Sequence, residues 1–246
     1  MSQYINLPSL YVNGLNVSWT SNTSLTIAAG QCRDATNSFD ITLPGATVLN
    51  ALTTGLNGLD TGTLAASTMY YVFVVYDNSL MQPVGTILSL SSTTPALPYN
   101  YSNVRRVGVA VTDGSTHFLK FLTRTINSNF IYQQWDTPIS VLSDGSSATF
   151  LAVSLAAAVS PLANRVFLTA TYTPAAVSNT ANIRPTGSSA AAGSCPVILK
   201  SNVASVSLNQ SISILPALSS GNMSIDYIVT ASDALSLSVV GFEDVL

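Results

Sequence analysis

Eight consecutive residues, Met69–Tyr76, read MYYVFVVY and hold no charge. Aromatic and β-branched side chains without polar alternation predict a strand buried on both faces, because such residues fit the packed surface of a pleated sheet. This segment is expected at the centre of a sheet. Asp77, Asn78 and Ser79 follow, residues whose side chains bond their own backbone and suit reversals. A second apolar run, GTILSL over 85–90, then predicts a long-looped antiparallel hairpin with the first.

The rest of the chain repeats this grammar on a shorter scale. Strands are expected at 25–29, 39–43 and 48–52, separated by a loop over 30–38 and a Pro44-Gly45 turn. Residues 53–68 read as loop, and 91–103, with Pro95, Pro98, Tyr99 and Tyr101, as a rigid connection. In VRRVGVAV (104–111), Val107, Val109 and Val111 share one face. Arg105 falls on that face and Arg106 on the other, so one arginine must be paired or at an edge. An Asp113-Gly114 turn leads to a strand over 117–125. From residue 130 onward, strand cores are expected around Tyr132 and Val141 and over 149–155, 165–172, 197–201, 212–215, 226–231 and 235–240. The small-residue stretch TGSSAAAGS (186–194) reads as a surface loop.

Short strands with turn signals at roughly ten-residue spacing predict an all-β chain of antiparallel sandwich or jelly-roll type. At 246 residues the chain has room for one large or two smaller β domains. Two are expected, 22–126 and 127–246, preceded by an extended N-terminal arm, 1–21, with Tyr4, Leu7, Tyr11 and Trp19 as its anchors.

Charged residues make up only 8% of the chain against 47% hydrophobic. A surface built from Ser, Thr, Asn, Ala and Gly suits contact with other subunits, and the balance is the reverse of a disordered chain. Six arginines and two lysines are scattered apart from Arg105-Arg106, and the net charge is −3, so no basic field exists for nucleic acid. No apolar run approaches the ~20 residues that cross a bilayer, and MSQYINLPSL lacks the pattern of a signal peptide. A protein made in the cytosol and kept there, or released only by lysis, is expected, with Cys32 and Cys195 reduced by default and a bridge between them left open.

Candidate chemistry is thin. His117 is the sole histidine, and no Ser or Cys beside it forms a nucleophile elbow, so a surface histidine is its commoner role. Arg33 beside Cys32 would lower a thiol pKa, although an inert buried cysteine is the more frequent case. A glycosidase needs two carboxylates about 5–9 Å apart. The ten aspartates and Glu243 offer candidates, yet Asp60, Asp77, Asp113 and Asp144 stand in turn contexts that explain them without catalysis. No ordered calcium loop and no cofactor or metal motif is present. Tyr70, Tyr71, Tyr99, Tyr101, Tyr132 and Trp135 could include a sugar-stacking platform, with Tyr99, Tyr101 and Trp135 as the binding candidates; core and interface anchors are the alternative.

Three segments, AAGQCRDATNSFDITL (28–43), NGLDTGTLAASTMYYVFVVYD (57–77) and LSLSSTTPALPYNYSNVRRVGVAVTD (88–113), resemble a recurrent block of tailed-bacteriophage virion proteins. WDTPISVL (135–142), RPTGSS (184–189) and the closing IDYIVTASDALSLSVVGFEDVL are similar to the same group. The resemblance implies a non-enzymatic structural protein on the virion exterior, most of all a capsid decoration or cement protein. Its expected partners are the major capsid protein or other virion proteins and further copies of itself, as a trimer. The alternative is a tail or head fibre that binds host surface glycans. The resemblance carries no catalytic or cofactor residues.

Overall fold

In the computed structural model, which describes residues 7–79, 81–127, 130–219, 221–230 and 232–246, every regular element is a strand. Two compact units divide the chain, Met1–Asp136 with Val245–Leu246, and Thr137–Asp244.

The first unit contains β1 (Val12–Gly14), β2 (Val17–Ser21), β3 (Ser24–Ile27), β4 (Gly30–Arg33), β5 (Asp40–Leu43), β6 (Thr47–Asn50), β7 (Gly58–Leu59), β8 (Met69–Tyr76), β9 (Gly85–Ser89), β10 (Asn103–Val111), β11 (Phe121–Asn127) and the first part of β12 (Phe130–Gly145). Their orders are β1-β4-β5, β2-β3-β6 and β10-β8-β9-β7, and β11 pairs with β12. β8 lies inside its sheet, antiparallel to β10 and β9. Val72, Phe73, Val74 and Val75 are each at most 1% exposed. Consecutive strand residues point to opposite faces, so both faces of β8 are covered. Each such side chain contributes about 1.5–3 kcal/mol of burial, which is why no polar alternation interrupts the run.

The second unit continues β12 and adds β13 (Leu151–Ser154), β14 (Ala163–Thr173), β15 (Thr180–Pro185), β16 (Val197–Lys200), β17 (Leu208–Ile214), β18 (Ala217–Ser219), β19 (Asn222–Val229) and β20 (Ala234–Val245). One sheet runs β12-β20-β14-β17, the other β13-β19-β15-β16 with β18 beside β19. Val166, Leu168, Ala170 and Tyr172 on β14, and Leu235, Leu237 and Val239 on β20, are buried at every second position. Ile225, Tyr227 and Val229 are buried on the apolar face of β19, while Ser224 and Asp226 are buried on its other face. Two sheets with one apolar face each make a sandwich.

Four connections between these sheets, 146–150, 174–179, 201–207 and 230–233, meet at one end of the sandwich. The registers place them there: Thr173 pairs with Ala234 and Tyr172 with Leu208 in one sheet, Thr180 with Lys200 and Ala181 with Val229 in the other. The Val229 N–H donates to the Ser147 carbonyl at 2.9 Å, which brings in the fourth loop.

Several expectations change. The described part of the arm is folded into its own unit: β1 pairs with β4 and β2 with β3, and Val12, Leu15 and Val17 are buried. Tyr4 lies outside the described residues. Trp19 donates its indole N–H to the Phe118 carbonyl at 3.1 Å. The units divide at Asp136 rather than near 126, because the start of β12 pairs with β11, Phe121 opposite Trp135. The expected loop at 30–38 contains β4, where Cys32 is the one inward apolar residue. The strand expected at 117–125 begins at Phe121, since His117 closes a turn on Asp113. Both arginines of β10 are buried. Arg105 Nη2 donates to the carbonyls of Leu10 (3.2 Å) and Leu246 (3.0 Å), and Arg106 donates to that of Val245 while lying over the Tyr71 ring.

Candidate functional site

At the four-loop end of the second unit one buried carboxylate, Asp233, ties the 174–179 loop to the start of β20. Asp233 is 1% exposed and accepts three hydrogen bonds: from the Tyr172 hydroxyl at 2.5 Å, the Ala175 N–H at 2.7 Å and the Asn179 side-chain amide at 2.8 Å. Its own N–H donates to the Thr230 carbonyl at 3.0 Å. β14 carries Tyr172 inward at its end, and the chain then turns at Pro174, so the donors converge on the start of β20. A charge out of water is tolerated only when donors of this kind surround it. Burial, and then the neighbouring Asp233 carboxylate, raise the Tyr172 phenol above its ordinary pKa, so it stays a donor.

Further bonds join the 174–179 and 201–207 loops to each other. The Ser205 N–H donates to the Pro174 carbonyl at 2.7 Å, the Ser178 N–H to that of Ser201 at 3.2 Å, and the Thr173 and Ser207 hydroxyls meet at 2.9 Å. On this frame Val177, Val203 and Val206 stand 57%, 55% and 53% exposed. Asp233 is the only ionisable residue in the four loops, and it is buried.

Beside the loop end, the 186–194 segment folds back on the outer face of β15. Asn182 accepts from the Gly193 N–H at 2.8 Å. Arg184 donates to the Ala190 carbonyl at 2.5 Å, pairs with Asp226 across the strands at 3.3 Å, and stacks 3.4 Å from the Phe150 ring centre. A cavity of about 250 Å³ beneath this segment is lined by Ala148, Thr180, Asn182, Ala192, Ile228 and Thr230 among others. These lining residues carry no charge.

The three aromatic binding candidates do not form a platform. Tyr99 is 91% exposed, but Tyr101 is buried with its hydroxyl donating to the Pro83 carbonyl at 2.6 Å. Trp135 is 2% exposed, edge-on to Phe121 at 6.1 Å. Tyr70 and Tyr71 are buried as well, and the Tyr70 hydroxyl accepts the Ala65 N–H. Trp135 is at an inward position of β12, Tyr70 and Tyr71 are buried on the two faces of β8, and Tyr101 is packed from the connection that precedes β10.

The turn reading of the aspartates agrees with their bonds. Asp77 accepts from Ser79, Met81 and Gln82, Asp113 from Ser115 and His117, and Asp60 from Thr61 and Ala96. Asp144 instead sits within β12 at φ +48 and exchanges bonds with Ser236. His117 is an exposed partner of Asp113 at 3.8 Å. Both cysteines are free and buried. Burial pushes the Cys32 thiol up to about 12, and the Arg105 charge only partly opposes it; Arg33 is engaged with Asp40 at 2.5 Å. Among the described residues, no group of three or more His, Cys, Asp or Glu side chains is arranged to hold a metal ion. Compared with family models, curated proteins and solved structures, the chain matches none.

The loop end was not legible as a site in the sequence. Its residues are ordinary Val, Ser and Ala, and Asp233 lies 61 residues from Tyr172. What the arrangement offers chemically is a neutral, apolar, pre-organised contact surface.

Proposed function

We propose that this protein is a non-enzymatic structural component of the exterior of a tailed-bacteriophage particle, of the capsid decoration or cement type. It attaches by burying the loop end of its second unit against a neighbouring virion subunit. The observation that carries this reading is Val177, Val203 and Val206 standing exposed on two loops bonded to each other, the first of which is tied to Asp233. A pre-ordered surface loses little conformational entropy on binding, and neutral side chains lose little hydration.

The three valines are already half-buried, so covering them contributes about 1 kcal/mol each. That is weak for one copy. On a shell carrying many copies, binding the assembled state alone still stabilises that state by mass action. The particle assignment rests on the sequence resemblance; the contact surface rests on the loops. The fibre reading loses its proposed aromatic platform, because Tyr101 and Trp135 are buried.

Quantitative mass spectrometry of purified virions, against the major capsid protein, tests the assignment. Hundreds of copies in a simple ratio to the capsid protein are expected for decoration. A few copies, or none, would contradict it.

A further inference from the structure

An exposed sheet edge offers unpaired backbone N–H and C=O groups to any extended chain, and proteins guard such edges with short strands, charges, prolines or bulges. Most edges here are guarded in that way. β1, β5, β6, β7, β13 and β16 are two to four residues long. β2 is irregular between Trp19 and Ser21. β10 carries two arginines and a bulge between Arg106 and Gly108, and β11 carries Arg124 and an irregularity between Thr125 and Asn127.

β17 has none of these devices. It ends its sheet order, spans seven residues, LNQSISI, and contains no charge, proline or glycine. Its register against β14 is unbroken from Leu208 opposite Tyr172 to Ile214 opposite Val166. Asn209, Gln210, Ser211 and Ser213 are exposed. A regular, neutral edge of this length is suited to accept another strand.

We propose that β17 is a pairing edge and that its occupant is β17 of a second copy, antiparallel about a two-fold axis at Ser211. The sequence is self-complementary in that register. Leu208 faces Ile214 of the second copy and Gln210 faces its Ile212 on the core-facing side, while Asn209 faces Ser213 on the outer side. Two of the four core-facing pairs set apolar on apolar and the other two set Gln210 against Ile212, the outer pairs are polar on polar, and no charges oppose. The contact is isologous and closes at two copies. A trimer would need a different surface. This pairing does not depend on the virion reading.

Sedimentation velocity of the full chain tests it, with Ser211→Lys as the edge variant and Leu122→Lys, on the exposed face of β11, as the control. Ser211 is exposed, so the lysine is compatible with the fold, and unchanged far-UV circular dichroism checks this. The wild type and Leu122→Lys are expected at twice the 25.7 kDa chain mass, and Ser211→Lys at the single-chain mass. Hydrogen exchange should show alternate β17 amides losing protection in Ser211→Lys. A monomeric wild type, or an oligomer whose mass Ser211→Lys does not reduce, would overturn the proposal.

Discussion

Replacing Asp233 with alanine removes the acceptor that ties the 174–179 loop and the end of β14 to the start of β20. The Tyr172 hydroxyl is fully buried and would be left without the 2.5 Å acceptor that it has in the folded protein. An orphaned buried donor costs about 1–3 kcal/mol. The Ala175 N–H and the Asn179 amide are less enclosed and can turn to water, at about 0.5–1 kcal/mol each. The sum is about 3 kcal/mol, reduced by whatever the buried carboxylate itself cost to desolvate. The melting temperature should fall by on the order of 10 °C. Urea titration followed by circular dichroism gives the free energy, and hydrogen exchange gives the location, with faster exchange expected over 174–179 and 201–207. Tyr172→Phe should cost about 1 kcal/mol alone, and far less when Asp233 is already alanine, since the orphaned hydroxyl is then gone. An Asp233→Ala variant within about 0.5 kcal/mol of wild type, or strictly additive single and double variants, would refute the hub.

Other consequences follow from burial. Trp135→Ala should destabilise the protein by about 3–5 kcal/mol, and Tyr99→Ala should leave the urea midpoint within error, because one ring is packed on Phe121 and the other is in solvent. Neither Cys32 nor Cys195 should react with a thiol reagent in the native protein at mildly alkaline pH, since burial raises both thiols; rapid labelling without denaturant would contradict this. Burial alone would raise Asp34, but bonds from Thr36, Phe39 and Ser38 outweigh it and hold its carboxyl below the ordinary 3.8. A depressed folded pKa adds stability above the unfolded value and loses it as pH falls through the folded one. Melting temperature should therefore drop between about pH 4 and pH 2, and less steeply in Asp34→Asn.

The strands most legible in sequence were those with the densest apolar content. Met69–Tyr76 was readable to the residue because both of its faces are buried. β4 and β15 were not, since each turns only one or two apolar side chains inward, Cys32 in one and Ala181 and Ile183 in the other. Their remaining positions are Gly, Gln, Arg, Thr, Asn and Pro, which read as loop. Trp135 carried a signal in its parity with Ile131, for both face inward on β12, but an aromatic residue type by itself does not distinguish core from platform. Asp233 carried none. Its three partners lie 54 to 61 residues away, and only the crossing of the chain between two sheets brings them together.

The most direct test of the docking surface is incorporation of a Val177→Asp, Val203→Asp, Val206→Asp triple variant into assembling particles. The substitutions lie on exposed positions, so the purified variant should keep the wild-type circular dichroism spectrum and melting curve. Wild-type protein should be retained on purified virions and the triple variant lost from them. Retention of the variant at the wild-type copy number would contradict the docking surface.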